Sequence, residues 1–315
     1  MQDQINILFL GGAKRVSLAE CLIAAGKQLG KTVNIFSYEL DKYVPIASIG
    51  KIIIGLKWNN PDILTHLGQT IKENNIHIVL PFVDGATVIA AQLKTQVKEV
   101  FIPVSPEQTC DIMFDKVKAN EWFQANGIPV PAYDGHLPAI AKPRKGSASQ
   151  GLVIIKTEQD KSSFKANYKE EDFLIQRFLT ADEYTVDVYV SKQGRALSIV
   201  PRKRMEVTSG EVTKSITVRD EEVIALSKEV ISKIRFEGPI TLQFLRDKQT
   251  KQLYMMEINP RFGGGVVTSI QAGADSCSML LNEYLNNPVK EVTDWKENLI
   301  MTRAFREFFY HANNN

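Results

Sequence analysis

Leu253-Tyr-Met-Met-Glu-Ile-Asn-Pro-Arg-Phe-Gly-Gly-Gly265 decides the fold of this chain. Its first half alternates as a strand does, which puts Glu257 and Asn259, two residues apart, on one face. Pro260 ends ladder pairing, Arg261 adds a fixed cation, and three glycines free the backbone behind it. Two oxygen ligands beside an arginine suit a hard cation that carries a phosphate. Alone, the stretch also reads as a strand ending in a turn with a surface ion pair, so its neighbours must decide.

The nearest neighbour is a second strand. Residues 240–246 and 252–258 are both strand-like and are joined by the polar segment Asp247-Lys-Gln-Thr-Lys251. A five-residue connection pivoting on Thr250 sets Gln243 opposite Glu257, about 5 Å away on the same face. Asn259 lies one step further along. Gln243, Glu257 and Asn259 then form a patch of oxygen ligands on a rigid hairpin. One carboxylate with amide oxygens is poor for zinc and reasonable for magnesium shared with substrate phosphates. Gln243 alone would read as a polar residue at the sheet surface.

Further upstream, residues 139–143 predict a strand that carries Lys142 and enters Arg144-Lys-Gly-Ser-Ala-Ser-Gln-Gly151. Gly146, Ser147, Ser149 and Gly151 make a loop whose amides can lie over phosphate oxygens. It joins two strands, not a strand to a helix, so it is a hairpin lid and not a Walker A loop. A solvated turn is an equal reading of the loop by itself. Lys142 favours the phosphate reading, because it should point inward from an otherwise apolar strand end.

Between these lies Phe173-Leu-Ile-Gln-Arg-Phe-Leu-Thr-Ala-Asp-Glu183. A strand ends near Leu179 and a second begins near Glu183, which describes a hinge between lobes. Gln176 can accept from an exocyclic amine, the backbone of Phe178 and Leu179 can read a ring edge, and Glu183 can accept two ribose hydroxyls. A plain interlobe connection is the other reading.

Residues 1–103 alternate between strand and helix patterns: strands over 5–10, 33–38, 52–54, 76–81 and 99–102, and helices over 17–29, 62–74 and 86–97. That is a parallel doubly wound sheet, whose ligands sit beyond the carboxyl ends of its strands. Gly11, Gly12, Arg15, Glu39, Asp41, Asp84 and Gly85 share that rim. Gly11-Gly12 does not match G-x-G-x-x-G, so the glycines serve the turn rather than a dinucleotide. Residues 103–115 read as a linker, 115–125, 158–168 and 220–235 as helices, and 269–285 as one helix. From residue 184, alternation suggests antiparallel, half-exposed strands.

Composition narrows the function classes. A length of 315 residues implies two or three lobes, and 44% hydrophobic residues is ordinary for a globular protein. A net charge of +2 gives no electrostatic case for nucleic acid. Cys21, Cys110 and Cys277 are far apart, which argues against zinc and for a reducing compartment. No apolar stretch approaches the ~18 residues of a spanning helix, and the apolar run 5–10 is a buried strand and not a signal peptide. The chain is expected to be cytoplasmic, with no nucleic-acid or membrane partner. Arg202, Lys203 and Arg204 precede a Ser209-Gly210 turn. One of these cations could contact a substrate carboxylate or phosphate, or the run could be a charged edge strand.

In this order and spacing the signals resemble the ATP-grasp superfamily, and within it the carbamoyl-phosphate-synthase large-subunit type and related carboxylate–amine ligases. The resemblance covers roughly residues 1–285. It implies an α/β and α+β chain: a doubly wound pre-ATP-grasp domain over 1–112, a small lobe with the glycine-rich lid over 113–180, and a large lobe with the metal site over 181–315. It implies ATP and Mg2+ (one or two ions, with Mn2+ able to substitute). By this likeness Lys116 and Lys142 contact phosphates, as do Gly146, Ser147, Ser149 and Gly151. Gln176, Arg177, Phe178, Leu179 and Glu183 would hold adenosine. Gln243, Glu257 and Asn259 would bind metal, and Arg261 and Lys142 would serve the chemistry. The partners implied are a small-molecule carboxylate and an amine, in an enzyme type for which a homodimer is common. Two departures stand out. The adenine position is more often Glu than Gln, and this chain carries one grasp unit where the synthase subunit carries two. Bicarbonate or carbamate chemistry and a non-catalytic nucleotide module are the alternatives to carbon–nitrogen ligation.

Overall fold

The computed structural model describes residues 3–146, 150–208 and 210–311. The chain begins with β1 (Gln4–Leu10), α1 (Val16–Gln28), β2 (Thr32–Glu39), β3 (Gly50–Ile54), α2 (Ile63–Glu73), β4 (Ile78–Pro81) and α3 (Asp84–Gln96). The four strands form a parallel sheet in the order β3-β2-β1-β4. β1 is central and buried almost end to end, which is why it reads as an unbroken apolar run.

Two expectations for the next segment need correction. The strand expected over 99–102 is a single bridge from Phe101 to Ile78. Phe101 makes both of its ladder bonds there, to His77 and Val79, and Pro103 two residues later cannot donate another. The expected linker 103–115 contains α4 (Glu107–Phe114), which Pro106 introduces and which buries Thr109, Cys110 and Met113 on one face.

α5 (Lys116–Ala125) is capped by Asp115, whose carboxylate accepts from the amides of Val117 and Lys118. It leads to β5 (Ala139–Pro143), β6 (Val153–Ile155), α6 (Glu158–Asn167) and β7 (Phe173–Arg177). These strands form a small antiparallel sheet in the order β6-β5-β7.

The rest of the chain builds a six-stranded antiparallel sheet from β8 (Ala181–Val190), β9 (Ala196–Thr208), β10 (Glu211–Thr217), β11 (Gly238–Asp247), β12 (Leu253–Asn259) and β13 (Ile300–Thr302). The order is β12-β11-β8-β9-β10-β13. α7 (Glu221–Lys233) covers one face, and α8 (Val267–Gln271) and α9 (Ser276–Tyr284) follow β12. β8 is not half-exposed as its alternation suggested. It lies inside the sheet, and residues 184–190 are buried on both faces. β9 is likewise interior, so the basic run is not an edge strand. The single helix expected over 269–285 is interrupted at Gly273, whose φ of +110° no helix accommodates.

The first sheet and the large sheet do not have separate cores. Ile5, Ile7 and Phe9 of β1 belong to one buried cluster with Leu18 and Leu22 of α1, Tyr189 of β8, Phe262, and Met279, Leu280 and Leu281 of α9. The opposite face of β1 packs Leu8 and Leu10 against α2 and α3. Among the described residues no helix is long and apolar enough to cross a membrane.

Candidate functional site

The hairpin β11–β12 sets the centre of the site. Near its turn the strands pair as Arg246 with Leu253 and Phe244 with Met255, one step away from a register pivoting on Thr250. A bulge at Met256 then restores that register, so Gln243 pairs with Glu257 and Thr241 with Asn259. The side chains interlock. Gln243 Nε2 donates to Glu257 Oε1 at 2.9 Å, and Asn259 Nδ2 donates to the same oxygen at 3.0 Å. Arg261 Nη2 donates to Asn259 Oδ1 at 3.1 Å.

Arg261 also crosses to the first sheet. Its Nε lies 2.8 Å and its Nη2 2.7 Å from Oδ1 of Asp84, the first residue of α3. Asp84 was placed on the rim from the sequence, but nothing in the sequence indicated this partner 177 positions away.

Lys142, the last residue but one of β5, lines the same space. Its Nζ donates to Gln176 Oε1 at 3.0 Å, and Gln176 Nε2 donates to Asn120 Oδ1 at 2.9 Å. Gln176 is fully buried and fixed at both ends. Burial pushes the Lys142 ammonium below the ordinary lysine value of 10.5; Lys116 acts in the same direction, and Glu257 and Glu183 oppose it. Asn120 was missed from the sequence. It stands one helical turn beyond Lys116 on α5, and that i, i+4 spacing is the signal that could have found it.

The root of the loop after β5 is tied to α5. Lys116 Nζ donates to Gly146 O at 2.6 Å, and the Lys116 amide donates to Arg144 O at 2.9 Å. Arg144 Nη2 pairs with Asp115 at 2.8 Å. Gly146 and Gly151 both have positive φ, +119° and +72°. Ser147 and Ser149 lie outside the described residues. At the hinge, the Phe178 amide already donates to Pro138 O, and Glu183 pairs with Arg204 Nη1 at 2.9 Å. Arg177 is exposed and donates to the Tyr254 hydroxyl at 3.3 Å.

The basic run is accounted for internally. Arg202 is 1% exposed and pairs with Asp187 through Nε (2.7 Å) and Nη2 (3.2 Å), while Asp187 also accepts from Ser269 Oγ at 2.6 Å. Lys203 pairs with Asp182 at 3.0 Å, and Arg204 with Glu183. Ser209 is outside the described residues. The glycines after Arg261 exist for close approach. A Cβ at Gly265 would stand 2.7 Å from Arg202 Nη1, and one at Gly263 would stand 2.9 Å from Thr241 Oγ1. The helix behind them, α8, has only five residues.

On the first sheet, Glu39 Oε1 accepts from Ser37 Oγ at 2.6 Å. A Cβ at Gly12 would meet Phe9 at 2.7 Å. The two glycines serve the turn.

One cavity of about 850 Å³ lies between the three sheets. Lys116, Lys142, Gly146, Gln176, Glu183, Gln243, Glu257, Asn259 and Arg261 all line it. Ile140 and Leu152 from one side and Leu245 and Met256 from the other give it an apolar slot near the hinge. Among the described residues no cluster of three His, Cys, Asp or Glu could hold a metal alone. The donor set nevertheless fits magnesium arriving with a nucleotide: Glu257 Oε2 and Gln243 Oε1 have no hydrogen-bond partner among the described residues, and phosphates and water complete such a shell.

Comparison with known proteins agrees with this arrangement. Residues 169–305, less than half of the chain, match the family described as "ATP-grasp in the biosynthetic pathway with Ter operon". The chain is 22% identical over 256 residues to a carbamoyl-phosphate synthase of Methanobrevibacter smithii, covering 72% of this chain and 69% of that one. It is 26% identical over 218 residues to a D-alanine–D-alanine ligase of Petrotoga mobilis, covering 60% and 72%. The biotin carboxylase domain of Hydrogenobacter thermophilus 2-oxoglutarate carboxylase superposes with a TM-score of 0.74 at 16% identity, over 95% of this chain and 74% of that one. That domain was crystallised as a dimer with MgADP, ADP and bicarbonate. A parallel four-stranded domain followed by two antiparallel sheets around one cavity is the ATP-grasp fold. The proteins it resembles thus include a synthase, a ligase and a carboxylase domain.

Proposed function

We propose that the chain is a magnesium-dependent ATP ligase that activates a carboxylate as an acyl phosphate for attack by an amine. The observation that carries this reading is the convergence of Lys142, Gln243, Glu257, Asn259 and Arg261 on one cavity with a hinge slot beside it. Adenine fits the apolar slot, with Glu183 beside the ribose. Lys116 and Lys142 lie where a triphosphate would extend toward the β11–β12 hairpin, and Gln243, Glu257 and Asn259 would hold the metal. Bound magnesium supplies neutralisation of the β,γ-phosphates.

In the first step a carboxylate oxygen bonds to the γ-phosphorus and the bond to the bridging β,γ-oxygen breaks, releasing ADP. In the second step an amine nitrogen bonds to the acyl carbon, the carbon–oxygen bond to phosphate breaks, and the amine gives up a proton. The side chains do no covalent chemistry: they position reactants and offset developing charge. Arg261 is held rigid by Asp84 and Asn259, as a group that stabilises charge on the transferred phosphoryl should be.

A screen for ADP release in MgATP, with pooled carboxylic acids and amines, tests the reading. Turnover that requires both a carboxylate and an amine is expected. Turnover with bicarbonate alone would replace this reading with a carboxylase or carbamate activity, which the bicarbonate held by the structural neighbour makes the second candidate. MgATP binding without turnover on any pool, and without isotope exchange into ATP, would leave a nucleotide-binding module.

A further inference from the structure

Six arginines line the cavity: Arg15, Arg177, Arg202, Arg204, Arg261 and Arg303. Arg177 is exposed at the hinge and bonds to Tyr254. Four of the others bring their own carboxylate. Arg202 has Asp187, Arg204 has Glu183, Arg261 has Asp84, and Arg303 has Glu211 at 3.1 Å. Arg15 has none: among the described residues its side chain makes no hydrogen bond and no ion pair. Its guanidinium sits 5.8 Å from the centre of the Phe82 ring, and its Nη1 is 3.3 Å from where a Cβ on Gly264 would be. Arg303 donates to Gly264 O at 2.5 Å, which brings a second guanidinium to the same glycine.

A partly buried cation among like charges is costly to leave uncompensated. Burial, and after it the neighbouring Arg261 charge, push the Arg15 guanidinium down to about 10. Glu211 is the acid that opposes this, and it is already shared by Arg303 and Lys14. The arrangement lacks one negative charge, at the end of the cavity formed by the first sheet and away from the hinge.

We infer that Arg15, flanked by Arg303, is the docking point for an anionic group, carboxylate or phosphate, on the substrate that enters beside ATP. This rests on the ligase reading for the identity of its neighbour, since the triphosphate is assigned to Lys116, Lys142 and the β11–β12 hairpin. The substrate class follows: an acid whose oxyanion is held at Arg15, so that uncharged analogues of the same shape bind poorly.

The test is calorimetric titration of inorganic phosphate and of malonate into the protein saturated with Mg2+ and a non-hydrolysable ATP analogue, which fills the triphosphate subsite. At least one anion should bind the wild type. Arg15→Gln should weaken it tenfold or more, with analogue affinity unchanged, and Arg15→Lys should fall between the two. A tenfold preference for phosphate identifies a phosphorylated substrate, and the reverse a carboxylate. Equal anion affinity in wild type and Arg15→Gln, or binding of neither anion to wild type, would overturn the inference. If Arg15→Gln does not fold by its thermal melt, Arg15→Lys carries the comparison. Failure of the analogue to bind would sink the nucleotide reading instead, and the same anion titrations on the free protein would still decide Arg15.

Discussion

Asp84 Oδ1 accepts from both Nε and Nη2 of Arg261, at 2.8 and 2.7 Å, and so ties the first helix turn after β4 to the residue that follows the hairpin. Both side chains are largely buried, at 19% and 12% exposure. Asp84→Asn keeps an acceptor and removes the charge. It should lower stability by about 1–3 kcal/mol, the cost of weakening a charged hydrogen bond in such a setting. Urea unfolding reads this directly. ATP turnover should fall with it, because Arg261 loses the partner that holds it in place.

Glu257 is the single carboxylate in the Gln243, Glu257, Asn259 patch. Glu257→Gln preserves size and the two amide contacts but removes the charge a divalent ion needs. Turnover should drop by about 10²–10³-fold, the scale seen when a transition-state charge partner is lost, and the Mg2+ concentration for half-saturation should rise. An unchanged magnesium titration in ADP-release assays would count against the metal assignment.

Lys142 offers a pH signature. Burial lowers its pKa below 10.5, so in the folded protein it loses its proton earlier than a free lysine as pH rises. In that window the unfolded chain binds more protons, so the nucleotide-free protein gains stability with rising pH. Nucleotide affinity should move the opposite way, because the neutral amine no longer attracts phosphate. The MgATP dissociation constant should rise with a midpoint below 10.5, and Lys142→Arg should abolish the rise over the same range.

Gly265 and Gly264 are adjacent but should respond differently to alanine. At Gly265 the new Cβ would lie 2.7 Å from Arg202 Nη1 and 3.0 Å from Cζ, inside a buried pair that cannot move away. Gly265→Ala should cost about 1–3 kcal/mol, as overpacking does. At Gly264 the Cβ meets only the far end of Arg15. Gly264→Ala should leave the melting temperature nearly unchanged and weaken anion binding. Thermal melts and the phosphate titration together separate the two.

How much of this was legible depends on how local each signal was. The parallel sheet could be read because strand and helix alternate within about a dozen residues, each pattern complete in itself. Gln243 opposite Glu257 could be read by counting through the hairpin, although the turn register was off by one and the count held only because Met256 bulges. α4 was hidden by its eight residues and the prolines before it. Arg202 looked like surface because three consecutive cations usually are. Its burial depends on Asp187, 15 residues earlier on the paired strand, and on Ser269 beyond the hairpin. Asp84 with Arg261, and Arg15 with Arg303, join opposite ends of the chain, and no spacing rule reaches that far.

The shared cluster that joins β1 to α9 has a consequence for the order in which the molecule can be completed. Ile5, Ile7 and Phe9 leave a ribosome before Met279, Leu280 and Leu281, which share their buried cluster. Until the chain has grown past residue 281, that part of the first sheet lacks its final cover. The earlier segment must therefore wait for the later one, and a truncation that removes α9 should expose apolar surface on β1.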